Sequence, residues 1–254
     1  MRDEAVRARG EHADATGRGR RRRDPWETAF KALAGLTAAL ALFTFASAGA
    51  AKAETVRVVA FGDSLTAGYG VPAADAFPAR LEAALRAKGL DVRVENAGVS
   101  GETAPQGLAR LDWSIPEGTD AVIVELGAND MLRGLDPATT RTALTAIVQR
   151  LKARGITVLL AGMRAAPNLG KPYQDAYDRI FPELAAAEGV LLYPFFLDGV
   201  AGQPSLIQSD GLHPNPEGVA RIVSGILPKA EALVAQARST EAATDGGKAP
   251  AKPN

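Results

Sequence analysis

At 254 residues, 46% of them hydrophobic and 23% charged, the chain has the length and composition of one large or two small globular domains. Its 29 basic and 29 acidic residues cancel, and from Glu54 onward 19 basic residues face 23 acidic ones, which argues against a nucleic-acid partner. No cysteine is present and the histidines are His12 and His213, so disulfides, thiol nucleophiles, thiolate zinc sites and any multi-histidine metal centre within one chain are excluded.

In chain order, residues 1–53 read as a targeting segment. Arg20 to Arg23 form a basic block, and a charge-free run follows from Ala32 to Ala51. AGA at 48–50 and AKA at 51–53 fit the small-x-small pattern of a signal-peptidase site, which predicts a mature chain starting at Glu54. The expected location is then the periplasm or the medium. An uncleaved inner-membrane anchor is the alternative, since about twenty apolar residues just span a bilayer. The run is rich in Ala, Gly, Ser and Thr, however, and would insert weakly.

From Thr55 short apolar runs alternate with amphipathic stretches. Strands are expected at Val56–Ala60, Val92–Glu95, Ala121–Leu126, Thr157–Ala161 and Val190–Leu192. Helices are expected at Ala76–Lys88, Thr139–Arg154 and Tyr173–Glu188, stopped by Gly89, Gly155 and Gly189 respectively. A last helix begins near Pro216, with Asn215 as its N-cap. The repeated helix-Gly-strand order is that of βα units on a parallel sheet, so residues 54–238 are expected to form one three-layer α/β/α domain. Residues 239–254 lack apolar anchors and are expected to be a disordered tail.

In such sheets ligands bind at the carboxyl ends of the strands. FGDSLTAGYG (61–70) follows the first strand, NAGVSGET (96–103) the second and LGAND (126–130) the third, while DGLHP (210–214) precedes the last helix. All four clusters therefore fall on one edge. In DGLHP, Gly211 and Pro214 oppose a continuous helix, and three residues let Asp210 fold back onto His213 Nδ1, leaving Nε2 free as a base. Asp210 as a turn cap is the structural alternative. Ser64 fits either an ST-turn or N-cap, or a nucleophile held on a sharp strand exit. A tetrahedral oxyanion needs fixed donors, and the Ser64 and Gly101 amides and the Asn129 side chain can supply them. Gly101 and Asn129 are equally compatible with plain turn roles. Asp63 and Asp130 read as carboxylates that tie loops together. Leu65, Val99, Met131 and Leu132 stand beside these clusters as candidates for an acyl pocket, with ordinary core packing as the alternative.

GDSL around Ser64, the glycine of SGET, the GxND-type element ending at Asp130, and DGLHP match in order the four blocks of the SGNH (GDSL) hydrolase superfamily, which the chain resembles from about Val56 to Leu233. NAGVSGETAPQGLARL, VIVELGANDMLRGL and RAAPNLGKPYQDAYDRIFPELA are similar to the branch holding bacterial thioesterase I/lysophospholipase L1 and arylesterases. The resemblance implies a flavodoxin-like five-stranded parallel sheet in the order 2-1-3-4-5. It also implies Ser64 as nucleophile, His213 as base, Asp210 as its partner, and Ser64, Gly101 and Asn129 as the oxyanion hole. It implies hydrolysis of small or lipid-like esters and thioesters through an acyl-serine, with no cofactor and no metal; a monomer is expected. On this reading the membrane is touched only through an uncleaved leader.

Two rivals remain at this level. GYGVPA (68–73) fits a dinucleotide fingerprint formally, but it leaves the strand seven residues late and Pro72 strains the helix start. A carbohydrate O-deacetylase on the same fold is the other. Trp113 is the one tryptophan outside the leader, a thin supply of aromatics for a long glycan groove.

Overall fold

The computed structural model describes residues 54–245, so the leader reading of 1–53 and the last part of the tail lie outside the described residues. β1 (Val56–Gly62) leads into a one-turn helix α1 (Ser64–Ala67), then α2 (Phe77–Ala87) and β2 (Val92–Gly98). α3 (Ala104–Ser114) precedes β3 (Ala121–Glu125), and α4 (Ala128–Leu132) and α5 (Pro137–Ala153) precede β4 (Thr157–Ala161). α6 (Lys171–Asp178) and α7 (Ile180–Glu188) lead to β5 (Leu191–Tyr193), and α8 (Pro216–Asp245) is the last described element.

The strands form one sheet in the order β2-β1-β3-β4-β5 with every pairing parallel. Both faces of β1, β3 and β4 are buried, which is why these strands read as near-continuous runs of Val, Ile, Leu and Ala. α2 and α8 pack together on one face, while α3, α5 and α7 pack in series on the other. The result is the expected α/β/α sandwich. Because β1 lies between β2 and β3, the chain leaves β1 in one direction and later returns to its other side. That reversal opens a crevice at the carboxyl ends of β1 and β3.

Local chemistry sets most boundaries. Gly155 ends α5 in a Schellman arrangement, its own N–H bonded to Lys152 O and that of Ile156 to Leu151 O, at 2.9 and 3.1 Å. Asn215 caps α8 by accepting from the Gly218 amide at 2.9 Å. α3 is not among the helices expected from sequence. Gly107 at its centre obscures the pattern, yet Thr103 and Gln106 form a capping box, and a methyl group at 107 would press on Leu126.

The stretch expected as a single helix from Tyr173 to Glu188 is two helices parted at Arg179. Pro182 is the cause: it has no N–H for the Asp178 carbonyl, and its ring crowds that oxygen. Of the expected tail, residues 239–245 are helical and the remainder lies outside the described residues. α8 continues to Asp245 rather than ending near 238, with the Ser239 and Thr240 hydroxyls bonded back to the Ala235 and Gln236 carbonyls at 3.0 and 3.1 Å.

Candidate active site

β1 ends at Gly62, and Asp63 turns the chain into α1 with Ser64 as its first residue. The Asp63 carboxylate caps this turn by accepting the Leu65 amide at 3.0 Å. Ser64 is thereby fixed at the crevice between β1 and β3. His213 arrives from the loop before α8, 149 positions further along the chain, and its Nε2 lies 2.9 Å from Ser64 Oγ. Its Nδ1 lies 2.6 Å from Asp210 Oδ2, while Asp210 Oδ1 accepts the amides of Leu212 and His213 at 2.9 and 3.0 Å. Those two amides, followed by the imidazole, hold the Asp210 carboxyl down at about 2. A charged Asp210 selects the tautomer with the proton on Nδ1, leaving Nε2 to accept from the serine.

A link outside the triad keeps the two loops together. Gln208 Nε2 donates to the Tyr69 carbonyl on the serine side at 2.8 Å and to the Pro214 carbonyl on the histidine side at 2.9 Å. The Tyr69 ring also lies 4.6 Å from the imidazole, centroid to centroid. Sequence reasoning passed over both residues. Tyr69 stands within the quoted serine cluster, but Gln208 carries no local signal.

Gly101 adopts φ +83° in the loop after β2, a left-handed conformation that favours glycine, and its N–H has no hydrogen-bond partner among the described residues. Asn129 at the start of α4 faces the same crevice. Its Nδ2 donates to Asp63 Oδ2 at 2.9 Å and to the Glu102 carbonyl at 3.0 Å, which occupies both amide protons. The loop carrying Gly101 is anchored by Arg110 of α3. This buried guanidinium pairs with Glu102 at 2.5 Å, donates to the Gly62 and Ala97 carbonyls at 3.0 and 2.9 Å, and rests on the Phe61 ring. Asp130 ties α4 to α3 and α5 by accepting from the Ala104 amide at 2.8 Å and the Thr140 hydroxyl at 3.0 Å. The loop-tying expectation for Asp63 and Asp130 thus matches the geometry.

Ser64 and His213 open into a cavity of about 670 Å³. Leu65, Met131 and Leu132 line it, joined by Met163, Phe195 and Leu212. Val99 does not. Its N–H is bonded to the Gly62 carbonyl and the residue is 42% exposed, so the wall on that side comes from Ser100 and Gly101 instead. Arg164 is the one permanently charged side chain in the lining, its guanidinium 5.1 Å from the Phe195 ring centroid. Among the described residues no cluster of His, Asp or Glu suits a metal ion.

A serine, a histidine and an aspartate aligned in one hydrogen-bonded row at the carboxyl edge of a 2-1-3-4-5 parallel sheet define a class, the SGNH-type α/β serine hydrolases. Residues 60–221 match the model of the GDSL-like lipase/acylhydrolase family, and the chain belongs to that family. It is 41% identical over 194 residues to an arylesterase of Vibrio mimicus, an alignment covering 75% of this chain and 97% of that one. To thioesterase 1/protease 1/lysophospholipase L1 of Escherichia coli K12 it is 39% identical over 196 residues, covering 77% and 90%. The crystal structure of AlinE4, an SGNH-hydrolase family esterase, superposes with a TM-score of 0.61 at 44% identity, covering 77% of this chain and 98% of that one. The protein is an ester-hydrolysing enzyme of this family.

Proposed function

We propose that the enzyme is exported and cleaves carboxylic esters and thioesters with an apolar acyl group through an acyl-Ser64 intermediate. The observation that carries this reading is the continuous row from Asp210 through His213 to Ser64, at 2.6 and 2.9 Å, opening on an apolar cavity. Ser64 Oγ attacks the acyl carbon as His213 Nε2 takes its proton. His213 then returns the proton to the departing alcohol or thiol, and water repeats the sequence to release the acid. Asp210 stabilises the imidazolium that forms at each stage.

The developing oxyanion is met by the Ser64 and Gly101 amides and by Asn129. For Asn129 this requires an exchange. One amide proton stays on Asp63 while the other leaves the Glu102 carbonyl for the oxyanion, so the third donor is engaged only when charge develops. Leu65, Met131 and Leu132 form part of the acyl-binding wall. The relatives' names include an arylesterase and a thioesterase/lysophospholipase, which supports a broad range of leaving groups. Export is supported by the basic block and charge-free run of residues 1–53.

Aryl esters from acetyl to palmitoyl, assayed with the full chain and its Ser64→Ala variant, test the activity. Turnover is expected on chains of intermediate length and is expected to vanish in the variant. A preference confined to acetyl would move the reading to a deacetylase, and undiminished turnover in the variant would remove Ser64 as nucleophile.

A further inference from the structure

Beside the nucleophile lies a pair of buried carboxyl groups that the acyl-transfer cycle does not use. Gly62 of β1 and Glu125 of β3 are partners in the parallel register, which sets Asp63, one residue on, against the Glu125 side chain. Both acids are fully buried. They are supplied unequally with donors. Asp63 accepts from the Leu65 amide and from Asn129, whereas Glu125 Oε2 accepts from Thr66 Oγ1 at 2.8 Å, the Asp63 amide also bears on the carboxylate, and Glu125 Oε1 is buried with no hydrogen-bond partner. The arrangement is closely fitted. A methyl group at position 62 would overlap Thr66 Oγ1 and stand 2.7 Å from Glu125 Oε2, so the glycine before Asp63 is what lets the Thr66–Glu125 bond close across the end of β1.

We propose that Glu125 is a positioning residue: it carries a proton on its free oxygen, directs that proton at Asp63, and so holds Asp63 as the fixed acceptor on which the Asn129 amide is aimed. This rests on the oxyanion role given to Asn129 above. The orphaned Oε1 is otherwise unexplained, since buried polar atoms rarely go without a partner. A proton there, turned towards Asp63, satisfies it.

The surroundings favour this placement of the proton. Two adjacent carboxyl groups in a dry site do not both ionise. Arg110 of α3 is committed to Glu102 and to the Gly62 and Ala97 carbonyls. Tyr177 of α6 donates its hydroxyl to the Gly127 carbonyl at 2.6 Å. His213 is engaged with Asp210 and Ser64. Among the described residues, therefore, no cation faces Glu125. Burial lifts Glu125 well above the carboxylate range and the Asp63 charge lifts it further, whereas Asp63, held by amides, rises only to about 6. At neutral pH Glu125 is the acid and Asp63 the carboxylate.

Three full-chain proteins test this: wild type, Glu125→Gln and Glu125→Leu. Gln can still donate to Asp63 and accept from Thr66, whereas Leu can do neither. Leu is expected to lower kcat by about tenfold to a hundredfold, the size of effect that follows from misplacing a catalytic group by roughly an ångström. KM is expected to move little, because the acyl cavity is untouched, and Gln is expected to recover most of the lost kcat. Infrared spectra at pH 7 are expected to show a protonated-carboxyl stretching band in wild type that is missing from both variants. The band needs no catalysis, so it is read even if Leu fails to fold or if Ser64→Ala disproves the esterase mechanism. Absence of that band from wild type would overturn the proposal. So would a folded Leu variant with wild-type kcat, or a Gln variant as slow as Leu.

Discussion

Ser64, His213 and Asp210 differ in how tightly the fold holds them. Ser64 is fixed by a turn whose cap, Asp63, is itself fully buried, whereas Asp210 stands on an open loop and is organised by two neighbouring amides. Their titrations accordingly run in opposite directions. Asp210 is held down at about 2, so it stays charged throughout the working range of a histidine base. Burial pushes Asp63 from 3.8 up to about 6. A raised native pKa means that the folded state grips the proton more tightly than the unfolded chain does. The stability this confers is complete below about pH 4 and is lost as pH rises through 6. Urea unfolding of wild type and Asp63→Asn at intervals from pH 4 to 7 checks the sign. The stability of wild type relative to the variant is expected to fall across that window, and a difference independent of pH would contradict the burial argument.

At the scale of elements, the site exists because β1 and β3 end at the same level and two loops are stitched across the gap. Gln208 supplies the stitch on the histidine side, and Arg110 binds the loop carrying Gly101 to the ends of β1 and β2. Replacing Gln208 by Leu removes both bonds to the Tyr69 and Pro214 carbonyls while leaving the triad side chains in place. The expected result is a kcat lowered by about tenfold or more from misalignment of His213 with Ser64, with KM nearly unchanged. Steady-state kinetics on a mid-length aryl ester measures this, and an increase in KM alone would show that Gln208 serves substrate binding instead. Neither Gln208 nor Arg110 was legible in the sequence, because each acts through carbonyls on distant segments rather than through a local pattern. The strands and the helices stopped by Gly89 and Gly155 were legible, since hydrophobic period and helix stops are local. α3 was missed because its central glycine serves packing against Leu126, a tertiary fact. The break at Arg179 was written in Pro182 and was outweighed by the apolar period around it.

For the whole molecule, the four polar clusters could be placed on one sheet edge from the order of elements alone, because a parallel sheet puts every strand-to-helix loop on the same side. What the order could not supply was the set of distances. Val99 and Gly101 are two residues apart, yet only Gly101 reaches the cavity, and the two committed protons of Asn129 appear only once Asp63 and Glu102 are brought to it. The Asp63–Glu125 pair is likewise a product of register between β1 and β3. The central claim is that this convergence makes Ser64 the covalent nucleophile. Treating the full chain with a stoichiometric organophosphonate and mapping the adduct by peptide mass tests it most directly. One adduct on Ser64 is predicted, with activity lost in proportion to labelling. Labelling at another residue, or activity that survives complete modification of Ser64, would contradict it.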